Sequence, residues 1–268
     1  MKLVKINNKI VKPLITSKYN KNNVKGYDLF ADPYGNIFLC AKKKSGKTSV
    51  INEILTECVD KDTILYIFCS THNKDANYVE IKKYLKEHDI TANFYTSIIE
   101  EGVNMLEIIR QTLQQPDGDE LTNDMSEEED EVLKFDLDDK YMKITIKKKK
   151  KIAPKYMFVF DDMSTELKTP EVNRLLKQNR HYKCKVIVSS QYPNDLAPDA
   201  RKQLDYWLLF AGHNGEKLEE IYKICDLNIP FEQFEEIYQE ATKEKYNFLY
   251  IDRENMEFRK NFNEQFIF

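Results

Sequence analysis

The sequence predicts an α/β fold, a three-layer sandwich around a mostly parallel central sheet. Three observations predict it. Short apolar runs alternate with amphipathic stretches along most of the 268 residues, the order that pairs strands in parallel and lays helices on both faces. A lysine-rich segment containing Gly46 joins the first apolar run to the first helix. A later run, Phe158-Val159-Phe160, ends in two acids, Asp161 and Asp162.

Each element follows from its pattern. Residues 1–30 are rich in Lys and Asn, with apolar groups such as Lys9-Ile10-Val11 and Leu14-Ile15, and read as an N-terminal arm or small β element. The main domain is expected over 31–268. Ile37-Phe38-Leu39-Cys40 has the continuous apolar character of a strand buried on both faces. Val50, Ile51, Ile54, Leu55 and Cys58 recur at helical spacing. Residues 63–69 read as a strand, 78–87 as an amphipathic helix and 92–95 as a short strand. The rhythm breaks at 116–151, which is too polar to bury a face and reads as a mobile charged insertion, with 141–146 in a hairpin at its base. Order resumes with the strand 156–160. Thr169 is placed as an N-cap with Pro170 at the first helical position, opening a helix to Gln178. Strands are expected at 185–190, 206–211 and 246–252, and helices at 215–225 and 231–243.

Charge is unevenly distributed. The chain carries a formal net charge of −4. Residues 117–140 hold twelve acids and two lysines, which leaves the remainder at +6. Residues 141–155 follow with seven lysines and no acid. A mildly basic body with one acidic appendage is compatible with a polyanionic partner. The five cysteines show no CxxC or Cys/His spacing and read as buried free thiols of a reducing compartment. No early segment resembles a signal peptide. No apolar run approaches the roughly 20 residues that span a bilayer, so no membrane partner is expected.

Three constellations carry chemistry. Ala41-Lys42-Lys43-Lys44-Ser45-Gly46-Lys47-Thr48 departs from the phosphate-loop pattern GxxxxGK[ST] only at Ala41, and with Ser49 it forms the candidate nucleotide-binding segment. Backbone N–H groups and a helix N-terminus cradle a phosphate. Lys47 would place a compact cation on the β- and γ-phosphates, and the Thr48 hydroxyl would ligate Mg2+. Gly46 keeps Cβ out of the way of the approaching ligand. If position 41 needs a positive φ, Ala41 costs about 1 kcal/mol there. In the second constellation, Asp161 would hold the metal and Asp162 would orient and deprotonate an attacking water. In the third, Gln191 ends the strand Val186-Ile187-Val188-Ser189-Ser190, where it can bond the water or γ-phosphate. The strand at 63–69 intervenes in sequence between loop and acids, an order that marks the additional-strand class of P-loop NTPases. With no Asn-Lys-x-Asp guanine signature, ATP is the expected nucleotide. Arg180 and Arg201 are candidates for a finger reaching a neighbouring subunit's γ-phosphate.

These residues together resemble a known family. Arg180-His181-Tyr182 leading into the Ser190-Gln191 strand, behind the loop and Asp161-Asp162, resembles the FtsK–HerA superfamily, and within it the poxvirus-type genome-packaging ATPases of large DNA viruses and virophages. The likeness runs over 37–262 outside the acidic insertion and takes in Phe248-Leu249-Tyr250-Ile251-Asp252. It implies a RecA-like core in a homo-oligomeric ring, with six copies the first count to test. It also implies pumping of double-stranded DNA into a capsid, with capsid proteins as further partners, in the cytoplasm of an infected cell. Lys147 to Lys151, and less strongly Lys42 to Lys44, are candidates for gripping DNA phosphates. Asp162 stands where relatives outside this branch carry Glu. Two alternatives stay open: another ring-forming DNA translocase or helicase, and a nucleotide-binding structural protein without turnover.

Overall fold

The structure, a computed structural model, describes residues 23–113, 128–137 and 140–268, with only the backbone at 128–137 and 140–149. The apolar groups expected to build an N-terminal arm at 9–15 lie outside the described residues. From 23 onward, Val24 bridges Ile152 in parallel and is fully buried.

Among the described residues the main sheet has nine strands. In chain order they are β1 (Asn36–Cys40), β2 (Ile64–Cys69), β3 (Ala92–Tyr95), β8 (Tyr156–Asp161), β9 (Cys184–Ser190), β10 (Tyr206–Phe210), β11 (Phe248–Asp252), β12 (Glu257–Lys260) and β13 (Glu264–Gln265). The pairs β4 (Ile99–Glu100) with β5 (Val103–Asn104), and β6 (Glu128–Leu137) with β7 (Lys140–Lys149), stand apart as two-stranded ladders. Across the sheet the order is β13-β12-β11-β10-β1-β9-β8-β2-β3. The strands from β10 to β3 run parallel, and β11, β12 and β13 turn back antiparallel at one side. The chain is therefore an α/β sandwich with a mostly parallel central sheet.

Helices cover both faces: α1 (Lys47–Cys58), α2 (Ala76–Glu87), α3 (Met105–Leu113), α4 (Pro170–Gln178), α5 (Pro198–Arg201), α6 (Gly215–Cys225) and α7 (Phe231–Ala241). Alternation along the strands divides the core in two. Ile37, Leu39, Val159, Ile187 and Leu208 pack with Ile51, Ile54 and Leu55 of α1 and Tyr78 and Ile81 of α2. Phe38, Phe158, Phe160, Val188 and Trp207 pack with residues of α3, α4, α6 and α7. A strand buried on both faces has no polar side to show, which explains the continuous apolar runs. All five cysteines are free and buried.

The sequence singles out 63–69 as the additional strand. In space β9 is the one inserted between β1 and β8, while β2 lies beyond β8. Thr169 does take the N-cap backbone position with Pro170 behind it, but its side chain makes no cap hydrogen bond, and Oγ1 is buried without a partner. Within 116–151, β6 pairs with β7 over ten residues a side, wider than the expected 141–146. Its register sets Lys147, Lys148 and Lys149 opposite Asp130, Glu129 and Glu128. Beyond the ladder, Lys150 Nζ meets Asp62 Oδ2 at 2.6 Å.

Candidate nucleotide site at the carboxyl edge of the sheet

β1 stops at Cys40 and α1 starts at Lys47, so residues 41–46 form the turn between them. Ala41 is buried, and its N–H donates to the Ser190 carbonyl at 3.0 Å. It is absent from the residues with positive φ, so the strain expected at this departure does not arise. The left-handed positions are Lys44, φ 64°, and Gly46, φ 91°. Gly46 is the one that needs glycine. It is the N-cap of α1, and a Cβ there would come within 3.3 Å of the Tyr246 ring. Ser45 Oγ closes the turn by donating to the Lys42 carbonyl at 2.7 Å. Among the described residues no side chain caps α1, and no acid occupies its first turn, so the positive end of the helix dipole is open to an anion.

Lys47 and Thr48 are buried at the mouth of this turn, whereas Lys42, Lys43, Lys44 and Ser49 are exposed. Lys47 Nζ reaches past the end of β9 to Asp161 Oδ1 at 3.2 Å and also contacts Asp162 Oδ1. Neither Lys47 Nζ nor Asp161 Oδ1 gains an aligned hydrogen bond from this. A buried ammonium and a buried carboxylate oxygen that meet without satisfying one another are costly. They are also the groups a phosphate and a cation would satisfy. Asp161 is held from behind by Tyr78 of α2, whose hydroxyl donates to Oδ2 at 2.9 Å. Burial, and then the Asp161 charge, raise the Tyr78 phenol well above its usual pKa, so it remains a donor. Asp162 sits at φ 55° with its N–H on the Ser189 carbonyl at 3.2 Å, and its side chain is 42% exposed. That strained turn carries the second carboxylate out of the sheet edge toward Lys47.

Gln191 follows β9 directly. Its carbonyl accepts from Cys40 Sγ at 3.6 Å, which ties the end of β9 to the end of β1. Loop, paired acids and Gln191 thus share one edge. Arg180 does not. It lies where the strands begin, with Nη2 at 3.0 Å from Asp32 Oδ2 and 3.3 Å from Asp205 Oδ1. Arg201 bonds the Asn194 side chain.

Sequence reasoning missed Tyr78, since a tyrosine on an amphipathic helix carries no sign of a carboxylate 83 positions away. It also missed His213 and Lys217, which with Tyr192, Asp195 and Glu220 line a cavity of about 240 Å3 beyond the ends of β9 and β10. Burial lowers the His213 pKa, favouring the neutral ring beside the Cys40 carbonyl at 3.4 Å. Among the described residues, no three His, Cys, Asp or Glu side chains cluster as a metal cage. Thr48 and Asp161 could hold a hard cation only with oxygens from a bound phosphate, the usual mode for Mg2+. No helix among the described residues is long and apolar enough to cross a membrane.

No protein-family model matches the chain. An uncharacterised protein, 088R, of Invertebrate iridescent virus 3 is 35% identical over 103 residues, which is 37% of this chain and 39% of that protein. The chain is also similar to solved structures of the genome packaging NTPase B204 from Sulfolobus turreted icosahedral virus 2. The complex with AMP aligns at TM-score 0.52 and 17% identity, over 85% of this chain and 96% of that one. The complex with AMPPCP aligns at 0.52 and 17%, over 85% and 97%. At such identity the likeness speaks for architecture, and it agrees with the strand order and the β1–α1 turn: the chain has the P-loop NTPase fold.

Proposed function

We propose that this chain is an ATPase that translocates double-stranded DNA, packaging a viral genome as a ring of identical subunits. The observation that carries the catalytic part is Lys47, buried at the start of α1 and ion-paired with both Asp161 and Asp162 at the mouth of the phosphate turn. The fold shared with a viral genome packaging NTPase supports the biological part, as does the region of identity to an iridescent-virus protein. ATP is the preferred nucleotide in this reading, and the site of action is the cytoplasm of an infected cell.

The chemistry follows from where the side chains sit. The open amides of α1 receive the β-phosphate, and Lys47 turns from the two acids to the β- and γ-oxygens. Thr48 Oγ1 and Asp161 would hold Mg2+, which when bound supplies charge neutralisation across the phosphates. Tyr78, donating to Asp161 Oδ2, fixes the orientation of that carboxylate. Once Lys47 is drawn away, Asp162 loses its cation and is free to accept the proton of an attacking water. Gln191 would bond that water or the γ-phosphate and transmit its loss along β9. Arg180 or Arg201 would act only across a subunit boundary, on a neighbour's nucleotide. DNA would be held through its phosphates.

ATP turnover is the test, measured with and without duplex DNA, followed by translocation on intact duplex. Wild type should hydrolyse ATP faster with DNA, and Lys47→Ala should lose at least about 100-fold in turnover. Full activity in Lys47→Ala, or no hydrolysis by wild type, would sink the reading. Strand separation in place of translocation would move it to a helicase.

A further inference from the structure

We propose that Tyr246 is the platform on which the base of the bound nucleotide stacks. This rests on the nucleotide-binding reading above. Tyr246 belongs to the loop between α7 and β11. Because β11 runs antiparallel to β10, that loop opens on the same edge as the end of β1. Its side chain lies against the phosphate-loop glycine: from an ideal Cβ on Gly46, Tyr246 Cδ1 is at 3.3 Å and Cβ and Cγ are at 3.8 Å.

Two costs are accepted to keep it there. The residue is 56% exposed, so it contributes little to the core. The backbone is at φ 73°, a conformation that a bulky residue adopts rarely and at a cost. The neighbouring loop is braced to hold it. Asn247 N–H donates to the Glu244 carbonyl at 3.3 Å, and its Nδ2 to Glu244 Oε2 at 3.1 Å. Asn261 Nδ2 donates to Asn247 Oδ1 at 3.0 Å, and Asn261 Oδ1 accepts from Phe248 N–H at 3.2 Å. A strained, exposed aromatic fixed beside a phosphate turn has the features of a contact surface for a flat ring attached to those phosphates. The Lys245 ammonium, 4.6 Å from the ring centroid, sits on a flexible stem that can yield to a base and reach the α-phosphate.

Among the described residues, Tyr192 is the other exposed tyrosine at this edge. It is covered by the Lys217 ammonium at 3.7 Å and lines a cavity with Ile221, on the face opposite α1. The phosphate turn leads to the α1 face, which favours Tyr246. Stacking reads the face common to all bases, so this platform would hold the base without choosing it, and a preference for ATP would have to come from groups that meet the base edge.

The experiment compares wild type with Tyr246→Ala, Tyr246→Phe and Tyr192→Ala in the full chain, using ATP and inorganic tripolyphosphate as probes. Tyr246→Ala should raise KM for ATP about tenfold and leave kcat within about twofold. Inhibition by tripolyphosphate, which has no base, should be unchanged, and Tyr246→Phe should behave as wild type. An unchanged KM in Tyr246→Ala overturns the proposal. So does equal weakening of ATP and tripolyphosphate, which would make Tyr246 a support of the loop, or a raised KM confined to Tyr192→Ala. If folded wild type binds tripolyphosphate but no ATP, the platform fails alone. If it binds neither, the nucleotide reading fails with it.

Discussion

Where the parallel strands begin, Arg180, Asp32, Asp205, Lys185 and Asn36 form a network whose hydrogen bonds are made except at Asn36 Oδ1. Lys185 is fully buried, with Nζ on the Asp32 carbonyl at 2.8 Å and 4.9 Å from the Phe30 ring. Asn36 gives both amide hydrogens away, to the Leu176 carbonyl at 2.9 Å and the Gln203 carbonyl at 2.7 Å. Where the same strands end, Lys47, Asp161 and Asp162 also bring one cation to two acids, yet Lys47 Nζ and Asp161 Oδ1 pair by charge without an aligned hydrogen bond. Backbone strain accompanies them at Lys44 and Asp162. Similar residues are thus used in two ways. At the first edge polar groups satisfy one another and fix the fold. At the second they are held apart from satisfaction and kept for a ligand. The comparison predicts that substitutions at one edge change stability and leave turnover alone, and that the other edge does the reverse.

The largest effect should come from Lys47→Ala. Loss of turnover by at least about 100-fold should be accompanied by only a small fall in melting temperature, because the Asp161 carboxylate, stranded without its cation, keeps the Tyr78 hydroxyl on Oδ2. A large drop in melting temperature would place Lys47 with the structural network and break the comparison.

Asn36→Ala is the mirror experiment. It leaves the Leu176 and Gln203 carbonyls without their donor in a buried setting, a loss of about 2–4 kcal/mol, readable by urea unfolding. Turnover per folded molecule should not move. A turnover loss exceeding the loss of folded protein would show that the two edges are coupled through β1.

A pH series sharpens the same point. Burial raises the Asp205 pKa to about 6, against the lowering effects of the Asn36 N–H and the Arg180 charge. The folded state therefore holds this proton to higher pH than the unfolded chain does. The stability contributed by the neutral acid is fully present below about pH 4, where the unfolded carboxyl titrates, and is lost as pH rises to about 6. The expected loss is on the order of 2–3 kcal/mol, measured by unfolding between pH 4 and 7. Asp205→Asn should flatten that dependence and leave the pH profile of turnover unchanged. An identical slope in the variant would assign the proton elsewhere.

These tests bear on how much of the molecule could be read from its residues. The β1, β8 and β9 runs were legible because strands covered on both faces leave no polar residue to interrupt them. The strand expected at 246–252 begins only at Phe248: Tyr246 has the β-forming character of a strand residue, and nothing in the sequence announces its left-handed backbone. Loop, acids and Gln191 could be assembled because each follows a strand, and parallel strands end on one edge. Tyr78 could not be assigned to Asp161, nor Arg180 to Asp32 and Asp205, because those pairings depend on how helices and connections pack over the sheet. The adjacency of β9 to β1 is likewise a fact of sheet order, which chain order does not give.

Ala41 yields the smallest effect and tests the reading of the loop itself. The phosphate-loop pattern has glycine at this position, and an alanine there suggested strain. In the fold Ala41 is buried, its φ is not positive, and its N–H is bonded to Ser190, so the residue extends β1 by one step before the turn begins. Glycine would lose a packed methyl group and gain freedom in the unfolded chain. Ala41→Gly is therefore expected to destabilise by about 0.5–1 kcal/mol, with turnover unchanged. A severalfold rise in turnover would mean that the methyl group holds the loop away from its working geometry. The strain would then lie in the nucleotide-bound loop, where Ala41 would have to leave its bond to Ser190.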